Sequence, residues 1–151
     1  MHASPGDGRR DRRDAVDGPH AASGEDVAIR FPDAAVTRVA LDYAAVLLLV
    51  GSADESLEVY IEGCFELHRD GSRLRLDPQL QDARLGELFT LRRRAFRECV
   101  ARADGVLTLE LEGDVRVVVQ PDPDYDAWDI THRGHVKVIA TPGGELAIWD
   151  L

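Results

Sequence analysis

One stretch of this chain is written twice. Val36-Thr-Arg-Val-Ala-Leu-Asp-Tyr-Ala-Ala-Val-Leu-Leu-Leu-Val50 lines up without a gap with Phe96-Arg-Glu-Cys-Val-Ala-Arg-Ala-Asp-Gly-Val-Leu-Thr-Leu-Glu110. Each copy is an apolar run, a short polar break and a second apolar run. Each is followed by further apolar alternation, at Leu57 to Ile61 and at Val115 to Val119. Apolar residues at every second position suit a strand with one buried face, because successive side chains point to opposite sides of a sheet. A strand pattern used twice restricts the chain to a small β-rich domain of two related meanders.

The punctuation agrees. Asp70-Gly71, Asp104-Gly105 and Gly113-Asp114 each separate two apolar runs, as hairpin turns do. Thr141-Pro142-Gly143-Gly144 suits a type II turn, with Pro setting the second position and Gly supplying a positive φ at the third. Pro121 and Pro123 end the strand before them, since proline donates no ladder bond. The expected strands are 27–31, 35–41, 45–50, 57–61, 64–68, 73–76, 95–103, 106–112, 115–120, 127–131, 136–140 and 145–149.

Asp77-Pro78 predicts a helix start, with Asp77 as cap, and Leu80, Leu85, Leu88 and Phe89 give it an apolar stripe to about residue 91. Leu85, Leu88, Phe89, Phe96, Cys99 and Val100 also fit one long helix to about Arg102. The duplication assigns 95–103 to a strand instead, and that is the reading adopted. The fold class is therefore mainly β (α+β): two pseudo-repeated antiparallel β-meanders, about 27–76 and 95–151, forming a small sheet or roll with one helix at about 78–91 between them.

Residues 1–26 are rich in Gly, Asp, Arg, Ser and Ala, and Val16 is their only branched apolar residue. Such a segment buries too little surface to offset its ordering entropy, so a disordered tail is expected. No apolar run follows Arg9, Arg10, Arg12 and Arg13, so no secretory signal is read there, and the expected location is the cytoplasm. The longest apolar stretch, Ala44 to Val50, is strand-sized and far short of a membrane-spanning helix.

The formal net charge is -10. The tail carries four Arg against six acids, and residues 27–151 carry fourteen basic residues against twenty-two acidic ones. A surface this acidic repels phosphate backbones, which argues against nucleic acid, and it suits a basic partner. Of the basic residues only Lys137 is lysine. Together with the abundant Ala, Asp and Gly, that reflects a GC-rich genome rather than a site. Cys64 and Cys99 lie in apolar segments without a CxxC spacing, so they read as reduced, buried thiols rather than a disulfide or a zinc site.

Few constellations carry chemistry. Asp122, Asp124 and Asp126 have the spacing that opens an EF-hand loop, but Ala127 stands where that loop needs Gly and Arg133 where it needs Glu. The plain reading is an acidic turn whose side chains accept from nearby backbone amides. His132 and His135 flank Arg133-Gly134 and read as solvated loop histidines, as does His68. No serine sits in a nucleophile elbow. Arg92, Arg93, Arg94 and Arg97 form the only basic cluster and read as a solvated face. No catalytic residue, metal or cofactor is assigned, and the reading leans away from an enzyme.

The C-terminal third, Pro121-Asp-Pro-Asp-Tyr-Asp-Ala-Trp-Asp-Ile130 and then Pro142-Gly-Gly-Glu-Leu-Ala-Ile-Trp149, resembles a bacterial family of small proteins of unknown function. That family shows a PDxxYxAW segment and a PGGxLAxW ending. The resemblance covers about residues 34 to 151 and departs at Leu91 to Ala95, where a shorter, Gly-containing link would be expected. It implies a compact β-rich domain without an assigned activity. By analogy, some proteins of this kind look like immunity or accessory proteins of bacterial competition systems.

The expectation is a non-enzymatic protein-interaction domain that binds a basic partner. Its contact surface would be Asp122, Asp124, Tyr125, Asp126, Trp128 and Asp129, although Tyr125, Trp128 and Trp149 are also large aromatics of the kind that, in short strands, more often pack in the core or at its rim. The alternatives are a small-molecule binder or minor enzyme with a pocket between the meanders, and an assembly role through sheet edges. The oligomeric state stays open.

Overall fold

A computed structural model describes residues 20–21, 24–80 and 82–151. The chain forms thirteen described strands and one helix: β1 His20–Ala21, β2 Val27–Ile29, β3 Ala35–Leu41, β4 Ala45–Val50, β5 Ser56–Ile61, β6 Phe65–Arg69, β7 Ser72–Leu76, a 3-10 helix Ala83–Leu91, β8 Phe96–Ala101, β9 Leu107–Leu111, β10 Val115–Val119, β11 Trp128–His132, β12 Val136–Ala140 and β13 Leu146–Asp150. The fold is mainly β with one helix between two meanders, as the duplication requires. Most of the expected tail lies outside the described residues. Within it, His20–Ala21 pairs with Ile148 and Ala147 of β13, and the Asp26 side chain accepts the Ala103 N–H at 2.8 Å.

The strands form two antiparallel sheets, in the orders β1-β13-β12-β11-β5-β4-β3 and β2-β8-β9-β10-β6-β7. Each repeat is divided between them. The meander β3-β4-β5 stays in the first sheet, and the chain then crosses to give β6 and β7 to the second. The meander β8-β9-β10 stays in the second sheet, and β11, β12 and β13 return to the first. Each meander's third strand is therefore completed by the other repeat, β5 by β11 and β10 by β6.

The repeats share fine structure. A β-bulge lies between Val36 and Arg38 in β3, and another lies between Phe96 and Glu98 in β8, at matching positions of the duplicated sequence. The two bulged strands meet where Ala35 bridges its own counterpart Ala95. Two equivalent residues that pair with each other mark a pseudo-twofold relation. The ungapped alignment fails at the next turn. The first hairpin closes at Leu41 opposite Ala45, the second at Ala101 opposite Leu107. The second loop is thus two residues longer, and Ala45 corresponds to Leu107 rather than to Gly105.

The inner faces share one core. Leu47, Leu49, Leu57, Val59 and Ile61 of the first sheet join Leu67, Cys99, Leu107, Leu109 and Val117 of the second, all at most 1% exposed. The helix differs from expectation in type and start. Leu85, Leu88 and Leu91 are its buried residues, and a spacing of three suits a helix with three residues per turn. Asp82 is its N-cap. Asp77 instead caps a separate turn, accepting the Gln79 N–H at 2.9 Å.

Candidate functional site

The outer faces of the two sheets differ in chemistry. On the second sheet, Glu98 faces Glu110, Glu110 faces Arg116, Arg116 faces His68 and His68 faces Arg73. Polar pairs run over this face, an ion pair of Arg30 with Glu98 at 2.7 Å and a hydrogen bond between His68 Nε2 and Glu66 at 3.0 Å. On the first sheet, Val46 faces Tyr60, Tyr60 faces Asp129, Asp129 faces Ile139 and Ile139 faces Ala147. The next row holds Arg38, Leu48, Glu58, Thr131, Lys137 and Trp149. Val46, Leu48, Tyr60, Ile139, Ala147 and Trp149 are all half-buried, so this face is more apolar than its counterpart, whose second row is the mixed Val100, Thr108, Val118, Glu66 and Arg75.

The acids on that face are short of counter-charge. Burial pushes the Asp129 carboxyl up; Lys137 opposes this, and the carboxylates of Glu58, Glu62 and Asp126 add to it. Tyr60 is likewise pushed up, first by burial and then by Glu62.

The expected contact residues divide. Asp124, Tyr125 and Asp126 are exposed, and Asp122 and Asp129 are half-buried. Asp122 accepts the Asp124 N–H at 2.8 Å, the local acidic turn foreseen from the sequence. Trp128 is a correction: it is 1% exposed and donates its indole N–H to the Gly105 carbonyl at 2.8 Å. It is a core residue, because β11 points Trp128, Ile130 and His132 inward in strict alternation.

His132 is the second correction. It is 8% exposed, the one buried polar or charged residue among the described core. Its ring lies between Phe31, at a centroid distance of 5.2 Å, and His135, at 4.1 Å, nearly parallel to both. Glu55 joins them from a turn far away in sequence. Its Oε2 lies 2.7 Å from His132 Nε2 and its Oε1 lies 3.4 Å from His135 Nε2. The ladder explains the meeting: His132 is opposite Leu57, and Glu55 precedes Leu57 by two residues on the same side of the strand. Ala53 and Asp54, at φ 56° and 61°, make the left-handed turn that delivers Glu55. The His132 hydrogen bond holds the Glu55 carboxyl below its usual range, against a smaller opposing effect of burial.

Nothing in the sequence pointed to Glu55. The available signal for His132 was its inward phase on β11. Among the described residues, Glu55, His132 and His135 are the group whose ligating atoms converge, all within 4.8 Å of one another.

The remaining candidates are quieter. Cys99 is fully buried, and burial pushes its thiol up to about 12. Cys64 is half-buried, and both cysteines are free. Arg97 lines a groove with Arg30, Glu98 and Glu110, so its surroundings are mixed in sign. No described helix is long and apolar enough to cross a membrane.

A family model matches residues 27–150, from the first residue of β2 to the last of β13. The chain belongs to DUF6188, a family of unknown function. No curated protein and no solved structure matches it. The DUF6188 match thus covers both sheets apart from the edge strand β1 and leaves the site's chemistry to be argued from its residues.

Proposed function

We propose that this protein is a non-enzymatic interaction domain whose binding surface is the outer face of the first sheet, extended by the acidic loop at Asp122, Asp124, Tyr125 and Asp126. The observation that carries this reading is the asymmetry of the two outer faces. The second sheet carries one full row of facing charges and a second row of mixed character, whereas the first leaves Val46, Leu48, Tyr60, Ile139 and Trp149 half-buried around carboxylates that outnumber Lys137 and Arg38. A contiguous apolar patch with a polar rim suits a protein contact. Glu58, Glu62, Asp126 and Asp129 outnumber Lys137 and Arg38 and select a basic partner, and they repel a second copy of a chain with net charge -10. A basic toxin or effector of a bacterial competition system is a partner of this chemistry.

The interior between the meanders, where a small-molecule pocket was the alternative, is filled by Leu47, Leu49, Leu107, Leu109 and Trp128, each at most 1% exposed.

The test compares variants in capture from native lysate, quantified by mass spectrometry. The full chain should retain a basic protein in stoichiometric amount, released by high salt. Leu48→Glu, Ile139→Glu and the triple change of Asp122, Asp124 and Asp126 to Asn should each lose it. Val118→Glu, on the opposite face, should keep it. Capture that ignores the first-sheet substitutions, or light scattering that shows this face closed in a self-dimer, would overturn the assignment.

A further inference from the structure

The Glu55, His132 and His135 cluster has no role in the interaction reading, and it is built more tightly than a chance encounter on a loop. Three elements meet there. The turn before β5 brings Glu55, the end of β11 brings His132, and the β11–β12 loop brings His135. Each is fixed by backbone bonds: Gly51 N–H to Glu55 O at 2.9 Å, Arg133 N–H to Ser56 O at 3.2 Å, His135 N–H to His132 O at 2.9 Å and Leu151 N–H to His135 O at 2.9 Å.

We propose that Glu55, His132 and His135 form a binding site for a divalent first-row transition metal such as Zn2+. Two imidazole nitrogens and a carboxylate oxygen are the donors such ions prefer, whereas Ca2+ and Mg2+ call for oxygen. Both imidazoles turn Nε2 toward the same carboxylate. Ligands on a common ion at about 2.0–2.1 Å stand roughly 3.0–3.4 Å apart. His135 stands at 3.4 Å from one carboxylate oxygen, within that range, and His132 at 2.7 Å from the other, so binding an ion requires the His132–Glu55 pair to open by a few tenths of an ångström and the exposed His135 ring to tilt out of its stack on His132.

The surroundings are asymmetric in a useful way. The Phe31 ring lies flat on His132 and holds that imidazole in place from the core side. The His135 side chain is 54% exposed, which leaves the outer coordination positions open to water or to a further ligand. Glu55 also lines an open groove with Leu48, Val50 and Arg133, at the margin of the first sheet's outer face. The left-handed Ala53 and Asp54 fit the same picture, since backbone strain of this kind collects at functional positions.

The experiment is calorimetric titration of the full chain with Zn2+ at neutral pH after chelator treatment, repeated with Co2+ so that its absorption spectrum reports the coordination geometry. One equivalent should bind at this site and raise the melting temperature. Binding should weaken on acidification, because an imidazole must give up its proton to ligate. His135→Ala and Glu55→Gln, both partly exposed and both sparing the core, should each weaken binding by about tenfold or more. His68→Ala should leave it unchanged, and Mg2+ should not compete. Absence of Zn2+ binding, or binding that survives both His135→Ala and Glu55→Gln, would overturn the site.

Discussion

Replacing Gly105 by alanine tests the packing of the two sheets against each other. Gly105 sits at φ +91° in the β8–β9 turn, and Gly144 at φ +98° in the β12–β13 turn, on the other sheet. A Cβ on Gly105 would stand 2.5 Å from Gly144 Cα and 2.6 Å from its carbonyl oxygen. Both are backbone atoms, so relief requires one hairpin to move. Two costs follow. A left-handed backbone costs alanine about 1–2 kcal/mol, and forcing apart two packed segments costs about 1–3 kcal/mol more. The sum, about 2–5 kcal/mol, is a large part of the roughly 5–15 kcal/mol that holds a domain folded.

Gly134 supplies the control. Its φ is +79°, and no atom lies within 4 Å of the position its Cβ would take. Gly134→Ala should therefore cost only the backbone part, about 1–2 kcal/mol. Urea denaturation of the two variants at unchanged m-value separates the contact from the conformation. A Gly105→Ala variant no less stable than Gly134→Ala would refute the close approach of the two turns.

Two further outcomes follow from titratable groups. Asp129 has its folded pKa raised, so its contribution to stability is present at acid pH and is lost as pH rises through that value. Asp129→Asn should therefore be more stable than the parent at neutral pH by thermal denaturation, and a destabilised variant would contradict the crowded-acid account of this face. Glu55 has its folded pKa lowered from 4.5, first by the His132 hydrogen bond. Its contribution is present above the unfolded value and is lost as pH falls through the lower folded one. Stability measured from neutral pH downward should fall less steeply for Glu55→Gln than for the parent below about pH 4.5; parallel curves would argue against the pair.

Gain of stability on removing Asp129's charge would also bear on function. A carboxyl kept where folding disfavours it is a cost that binding to a basic surface can offset, which is the usual sense of a stability–function trade-off.

Much of the chain was legible in one dimension. Strand positions followed from apolar alternation, because the two faces of a strand meet different surroundings, and the turns followed from residues that tolerate positive φ. The duplication correctly made Phe96–Ala101 a strand where its apolar spacing alone allowed a helix. The leucine spacing of three at Leu85, Leu88 and Leu91 held the signal for a 3-10 helix, but a short run of that kind is easily read as part of a wider α-helical stripe.

The site was less legible, and Trp128 and His132 show why. From the sequence, His132 reads as a solvated loop residue, and Trp128, though a Trp in a short strand is often packed, falls within the acidic contact surface. Their burial depends on the phase of β11, which is set by its pairing with β5, a strand of the other repeat. Local sequence determined the strands, the turns and the existence of two related halves, because those depend on neighbours along the chain. The tertiary structure alone decided that the halves exchange strands between sheets, that one outer face is more apolar than the other, and that Glu55 meets His132 and His135. These outcomes depend on long-range ladder register, in which a single residue of slip would turn each of these side chains to the opposite face.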